Sequence, residues 1–193
     1  MSTTTDNKVH YDLVDVYVAP LTLDLEAGTA AFGTPKRLLG AISMDLAAQG
    51  EVVKLRADGM DYYIANSNNG YSGNLNLAMV PDWFKQEYLG DTISEKDKVL
   101  VENAQAEAKP FALLYGFKGD KHHRRHVLYD CTASRSNIKG ENKDNQKQPD
   151  TEAMTLTSVP LPDGKVKAST TAETPETVYN AWTTAVWVKD TTA

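Results

Sequence analysis

Apolar and polar side chains alternate along much of this chain, and the alternation has the two-residue period of half-buried β-strands. Near the N-terminus, Val14, Val16 and Val18 fall on one face of a predicted strand, while Asp15 and Tyr17 fall on the other. Gly- and Pro-containing turns separate this strand from the next alternating segment.

The second alternating segment is followed by two shorter ones. Its apolar or small residues are Leu38, Gly40, Ile42, Met44 and Leu46. The stretch "AAQG" separates it from "EVVKLRA", and "DGM" separates that stretch from "DYYIAN". Strands joined by such short turns predict an antiparallel meander.

The stretch "ANSNNGYSGNLNLAMVPDWF" combines turn residues, an alternating strand and an abrupt Pro-Asp. Asn69 and Gly70 tolerate positive φ, so they predict a primed hairpin turn. Gly73 predicts a bulge or a close approach of two backbones. Pro81 ends the strand, because it cannot donate to a ladder, and begins a helix that stops at Gly90.

The C-terminal half repeats the pattern. "FALLYGF" and "HVLYDCTASR" predict a second hairpin, and "EAMTLTSVPL" and "KVKAST" predict a third around Pro162, Asp163 and Gly164. Thr174 is predicted to cap a second helix that begins at Pro175. The ending "VWVKDTTA" is interpreted as a last strand with a loose tail.

These elements predict a mainly β protein, an antiparallel β-sandwich or barrel with one or two short flanking helices and extended loops or arms. One domain is expected over residues 1–193. Within it we expect a flexible N-terminal arm (1–10), a long hairpin (43–62), a polar loop (137–150) and a loose tail (188–193). Side chains expected to pack the helices on the sheet are Trp83, Phe84, Tyr88, Val178 and Trp182.

Composition is that of an ordinary globular protein, with 41% hydrophobic and 24% charged residues in 193. No apolar run is long enough to span a bilayer, and "MSTTTDNKVH" lacks the apolar stretch of a secretory signal, so synthesis and retention in cytoplasm are expected. Cys131 stands alone, which rules out an internal disulfide, and a buried inert thiol is expected there.

Charge is unevenly distributed. Between Lys118 and Lys147, eight Lys or Arg face four acids, a net +4, which leaves −10 for the rest of a chain whose total is −6. Proteins that grip nucleic acid show a net basic face. Most of this chain would repel a polyanion.

Candidate chemistry is sparse. His122 and His126 have the spacing of paired zinc ligands on a helix, but their flanks alternate like strands, which favours a solvated basic hairpin tip. Asp58 and Asp61 lack the ligand run of a calcium loop. No glycine-rich phosphate loop and no nucleophile–base pair can be named. Neither an enzyme nor a cofactor is therefore expected.

In their order and spacing, four segments carry a resemblance: "NNGYSGNLNLAMVPDWF", "KPFALLYGFKGD" with "RHVLYDCTASR", "TEAMTLTSVP", and "DGKVKASTTAETPETVYNAWTTAVW". The sequence resembles the major tail proteins, or tail tube proteins, of long non-contractile-tailed bacteriophages, chiefly those that infect Gram-positive bacteria. The resemblance runs from about Val9 to Trp187.

The resemblance implies a β-sandwich whose copies form hexameric rings, which stack into a tube that conducts the genome into the host. It implies a virion protein, assembled in host cytoplasm, without enzymatic activity, cofactor or membrane contact. Implied partners are further copies, a tail tip or initiator, tape measure and tail terminator proteins, and double-stranded DNA that passes without specific binding.

The resemblance also suggests a hairpin that reaches the neighbouring ring. The residues assigned to this contact are Ala47, Ala48, Gln49, Gly50, Glu51, Val53 and Leu55. If the inner surface of the tube does not bind DNA, Lys121, Arg124, Arg125 and Lys143 must face outward or lie between subunits. Polar segments 1–10, 91–108 and 137–150 are expected to order only on stacking.

Two alternatives stay open. A sugar-binding β-sandwich module of the same virion would show exposed aromatic rings around a pocket. A zinc enzyme would use His122 and His126.

Overall fold

The computed structural model describes residues 9–140 and 149–189, which form a mainly β fold with two short helices. The strands are β1 Leu13–Asp24, β2 Thr29–Phe32, β3 Lys36–Arg37, β4 Ala41–Gln49, β5 Val52–Ala57, β6 Met60–Asn66, β7 Gly70–Leu77, β8 Thr92–Ile93, β9 Leu100–Val101, β10 Phe111–Phe117, β11 Arg125–Ala133, β12 Glu152–Val159 and β13 Lys167–Ser169. The helices are α1 Asp82–Tyr88 and α2 Glu176–Ala181.

The main sheet has the order β2-β1-β10-β11-β12-β7-β4, and every pair in it is antiparallel. β3 adds to β1, and β13 adds to β11. The mainly antiparallel class is confirmed. Within the described ranges the sheet does not close into a barrel, and it is consistent with a sandwich-like fold.

Both faces of the central strands are covered, which explains the continuous apolar run "FALLYGF" in β10. Phe111 and Leu113 pack in one core cluster, which also receives α1. Ala112 and Leu114 pack in a second cluster with Trp182, beside α2. The sheet is thus the middle layer between two helices.

Helix α1 begins after Pro81 and ends before Leu89, and Gly90 follows in the left-handed region at φ 77°. These boundaries agree with the prediction. Phe84 and Tyr88, one turn apart, are buried against the ring of Phe111.

Of the predicted meander, the antiparallel pair joined at "DGM" is confirmed as β5 and β6, whereas the turn predicted at "AAQG" is wrong. β4 runs through Ala47 to Gln49 and pairs with β7, and the chain then continues outward into β5. A register irregularity between Ala41 and Ser43 breaks the alternation, so Ile42 is 52% exposed instead of buried.

The Asn69–Gly70 hairpin turn is also wrong, because β6 and β7 follow each other along one arm and do not pair. Gly73 does mark a close approach: an added Cβ would overlap the backbone oxygen of Asp45. The true primed turn is Asp58–Gly59, with φ of 53° and 79°. One hairpin therefore spans 41–77, beyond the predicted 43–62.

Three predictions near the C-terminus are wrong. β12 and β13 do not form a hairpin with each other. Both run antiparallel to β11 along the same edge, where they lie end to end. Pro175 is the N-cap residue of α2, whereas the Thr174 hydroxyl oxygen accepts from the Thr171 amide. Residues 186–189 form no strand, and 190–193 lie outside the described residues.

The acidic excursion 91–108 is more ordered than expected. β8 and β9 pair within it, and the Arg135 guanidinium holds it to the end of β11 through Asp91 at 2.6 Å and Glu102 at 3.1 Å. These ion pairs, rather than an apolar core of its own, hold the 91–108 segment against the rest of the fold. The predicted arms 1–10 and 137–150 lie mostly outside the described residues.

Candidate functional site

The outer half of the long hairpin, β5 and β6, is a two-stranded ribbon that pairs with no other strand of the described chain. It continues the β4–β7 pair through the bonds from the Ser67 amide to the Glu51 carbonyl and from the Asn69 amide to the Gln49 carbonyl. We call residues 52–66 the ribbon.

Large apolar side chains cover the ribbon and are mostly solvent-exposed. Each of the following is more than half exposed: Val52, Val53, Leu55, Met60, Tyr62, Tyr63 and Ile64. Exposed apolar side chains in such number mark an interaction site. Because an isolated two-stranded hairpin is marginally stable in water, the ribbon also lacks internal support.

The two faces of the ribbon differ in chemistry. Directly paired residues share a face, so Leu55 and its partner Tyr63 lie together with Val53. Lys54 and Arg56 both form ion pairs with Asp61, at 3.3 Å each. One face is therefore apolar, and the other carries this charge cluster, with a net charge of +1, together with Ile64, the direct partner of Lys54.

All seven residues assigned to the contact between rings are exposed. Ala47, Ala48 and Gln49 lie on β4 beside β7, Gly50 and Glu51 connect the sheet to the ribbon, and Val53 and Leu55 lie on its apolar face. The sequence analysis predicted "DYYIAN" as a strand but assigned no residue of β6 to this contact, although the consecutive "YYI" breaks the alternation of a half-buried strand. This break in the alternation could have identified β6 as part of the contact surface.

The residues assigned to helix packing divide between the two cores. Phe84 and Tyr88 are buried in the first, and Trp83 packs against it in a half-buried position. Trp182 is buried in the second, where Val178 packs against it.

Basic residues of the 118–125 turn are only partly available to a partner. Three backbone amides bond to Asp120: those of His122 and Arg124 to its carboxylate and that of His123 to its carbonyl. Arg125 is half-buried against α2, whereas Lys121 is exposed. Lys143 lies outside the described residues.

Of the two histidines considered as zinc ligands, His126 lies among aromatic rings. His126 is half-buried and stacks on Tyr115 at 5.1 Å, and desolvation lowers its pKa. The described part of the chain contains no group of three or more side chains able to hold a metal ion.

The two aspartates considered for a calcium loop have structural roles. Asp58 lies in the turn at the tip of the ribbon, and Asp61 forms ion pairs on the ribbon.

Burial raises the pKa of the Cys131 thiol to about 12, so the buried thiol is protonated and unreactive at neutral pH.

Of the aromatic rings on the helices, Trp182 lines a cleft with Trp187, whereas Trp83 packs beside Lys36. Trp182 is buried, and the ammonium of Lys36 lies 3.8 Å from the Trp83 ring centroid. Tyr62 and Tyr63 are exposed on the ribbon. Trp187 does line a cleft, which also contains lysines.

No family model and no curated protein matches this chain. Among solved structures, the cryo-EM structure of the anti-feeding prophage cap, a tube terminating cap, aligns over 89% of this chain and 99% of its own. Its TM-score is 0.44 and its sequence identity 8%, values too low to carry an argument about function. None of the helices in the described ranges is long and apolar enough to cross a membrane.

Proposed function

We propose that this protein is a self-assembling structural subunit of a phage tail tube. Copies polymerise as stacked hexameric rings, and the tube conducts the genome into the host, as the resemblance to major tail proteins implies. The observation that carries the proposal is the exposed apolar ribbon, a surface that needs another copy to cover it.

Burial of the ribbon would supply a large driving force. Val53, Leu55 and Tyr63, each more than half exposed, would leave water on contact with a neighbouring ring. Apolar burial contributes roughly 25 cal/mol per Å², although association entropy offsets part of it. We assign the inter-ring contact to the apolar face that contains Val53, Leu55 and Tyr63.

Contacts within a ring have a separate basis. β4 ends the main sheet on one side and β2 on the other, so each leaves one backbone edge without a strand in the described ranges. Open edges invite uncontrolled pairing unless they are used or protected. A closed ring of copies uses them, since neighbouring sheets can join without leaving a free edge.

Charge fits a conduit that does not adhere to DNA. Each phosphate neutralised by Lys or Arg releases counterions and tightens binding, so a bore lined by acids and amides would let the polyanion pass. Lys121, Arg124 and Arg125 then belong on the outer surface or between subunits. A tube map that places all three in the bore would refute this assignment.

Sedimentation velocity over a concentration series tests the self-assembly. The wild-type protein should form larger species as its concentration rises, and Leu55→Asp and Tyr63→Asp should keep it small. Leu25→Asp is the matched control, because Leu25 is 78% exposed but lies on the β1–β2 turn. Equal assembly of the ribbon variants and wild type would contradict the proposal.

A further inference from the structure

The β4–β7 pair carries exposed apolar side chains at both of its ends. At one end Gln49 pairs with Gly70, and the chain continues into the ribbon. At the other end Ala41 pairs with Leu77, and Met79 follows with 67% of its surface exposed. The eight residues of β7 separate these ends by roughly 25 Å. We call the end that carries Met79 the far end.

A cleft of about 490 Å³ opens at the far end, and we call it the far-end cleft. Its apolar lining comes from Ala78, Met79, Leu89 and Leu100. The first two residues directly follow β7, Leu89 ends α1, and Leu100 belongs to β9 in the acidic excursion. The cleft therefore lies between the end of the sheet and the excursion.

Both walls of the far-end cleft are held in place. The Ala78 amide donates to the Gly40 carbonyl at 2.8 Å, and the Val80 amide donates to the Glu152 carboxylate at 2.9 Å. Arg135 holds the opposite wall through its ion pairs with the acidic excursion. A surface fixed in this way loses little conformational entropy when a partner binds.

The ribbon has the length and the chemistry to reach this cleft in a second copy. The seven residues of β6 carry it roughly 20–25 Å beyond the sheet. Its apolar face presents Val53, Leu55 and Tyr63, each more than half exposed. The ribbon and the far-end cleft lie at opposite ends of the β4–β7 pair, so one copy does not fill its own cleft.

Excess charge at the two surfaces has opposite sign. On the ribbon, Lys54 and Arg56 share the carboxylate of Asp61, which leaves this cluster with a net charge of +1. The charged residues that line the far-end cleft are four acids and three bases. Asp58 in the tip turn makes the whole ribbon neutral, so the attraction is local to the cluster. Local attraction of this kind orients two surfaces as they meet.

We infer that the ribbon of one copy docks in the far-end cleft of a second copy in the next ring. Leu55 and Tyr63 then pack against Met79 and Leu100. This inference rests on the proposed function and adds the surface that receives the ribbon. The contact is heterologous, because two different surfaces meet, and such a contact repeats without closing. Each added copy leaves a further cleft or ribbon available, so stacking continues.

Sedimentation velocity of Met79→Asp tests the inference. Because Met79 is mostly exposed, the melting temperature should not change. Self-association should weaken about tenfold or more, since a charge replaces an apolar side chain that the contact buries. Leu25→Asp, an equally drastic change on the exposed β1–β2 turn, is the control and should associate as wild type does.

A mixture of two defective variants distinguishes this contact from one between two ribbons. Leu55→Asp keeps an intact far-end cleft, and Met79→Asp keeps an intact ribbon. Docking of ribbon into cleft predicts that the equal mixture forms larger complexes than either variant alone. A contact between two ribbons predicts no gain on mixing, and that result would overturn the inference.

Disulfide trapping locates the contact. Under mild oxidation, Leu55→Cys mixed with Met79→Cys should form a disulfide between the two variants, identified by mass, and the buried Cys131 does not compete. Leu55→Cys mixed with Leu25→Cys should form none. Equal association of Met79→Asp and wild type, or no disulfide in the first mixture, would overturn the inference and leave the proposed function standing. Wild type that never associates would overturn both.

Discussion

The guanidinium of Arg125 donates a 2.7 Å hydrogen bond to the backbone carbonyl of Tyr179 and lies 4.2 Å from the centroid of its ring. The Tyr179 hydroxyl in turn donates to the carbonyl of His123 at 3.0 Å. These contacts fasten α2, which has no fully buried residue of its own, to the turn between β10 and β11. Arg125 therefore has a role within the chain, whichever way its surface faces in an assembly.

Loss of this contact should loosen α2. Arg125→Gln removes the hydrogen bond and the cation–π contact, so the free energy of unfolding should fall by about 1–2 kcal/mol. Urea denaturation measures the fall, and amide exchange should quicken in 176–181. Lys118→Gln, an exposed change nearby, is the control. An unchanged midpoint for Arg125→Gln would contradict the assignment.

The Arg135–Asp91 pair should be a larger determinant of stability. Asp91 has a side chain 5% exposed, so Arg135→Ala leaves a buried carboxylate without its partner. We expect a loss of about 2 kcal/mol, below the value for a fully buried pair because Arg135 is 32% exposed. Arg37→Gln, which breaks the exposed pair with Asp15, should cost about 0.5 kcal/mol or less. Similar losses for both variants would contradict the larger contribution assigned to the buried Arg135–Asp91 pair.

Gly73 should tolerate no side chain. Because a Cβ there would overlap the Asp45 carbonyl, Gly73→Ala must separate β4 from β7 at the root of the ribbon, at a cost of about 3 kcal/mol or more. Gly140→Ala, where a Cβ meets no atom of residues 9–140 and 149–189 within 4 Å, should be near neutral. Thermal denaturation of the two variants measures the difference, and equal melting temperatures would contradict the close approach of Gly73 to the Asp45 carbonyl.

Stability should fall at alkaline pH. Burial raises the pKa of Tyr115 and of Cys131 to about 12, from 10.0 and 9.0. The unfolded chain therefore releases these protons first, and the free energy of unfolding should decline as pH rises from about 9 to 12. Tyr115→Phe should reduce the decline above pH 10 by up to about 1.4 kcal/mol per pH unit. A decline identical to that of wild type would contradict burial of this hydroxyl.

Local patterns in the sequence were sufficient where local physics decides the structure. Helix α1 follows from Pro81, Gly90 and the spacing of Phe84 and Tyr88, and β10 and β11 follow from their apolar runs. Burial of Cys131 likewise follows from its place in a strand. Each of these features depends on a few neighbouring residues.

Strand pairing could not be read in the same way. Whether "AAQG" is a turn or a strand depends on β7, which pairs with Ala47 and Ala48 from more than twenty positions away. β12 and β13 likewise meet only through β11.

Negative-stain microscopy of the concentrated, purified protein tests the central claim most directly. We expect hollow tubes or rings of uniform width from wild type and from Leu25→Asp, and none from Leu55→Asp at equal concentration. Wild-type protein that remains as single particles at every concentration, and is equally solitary within intact virions, would contradict the account.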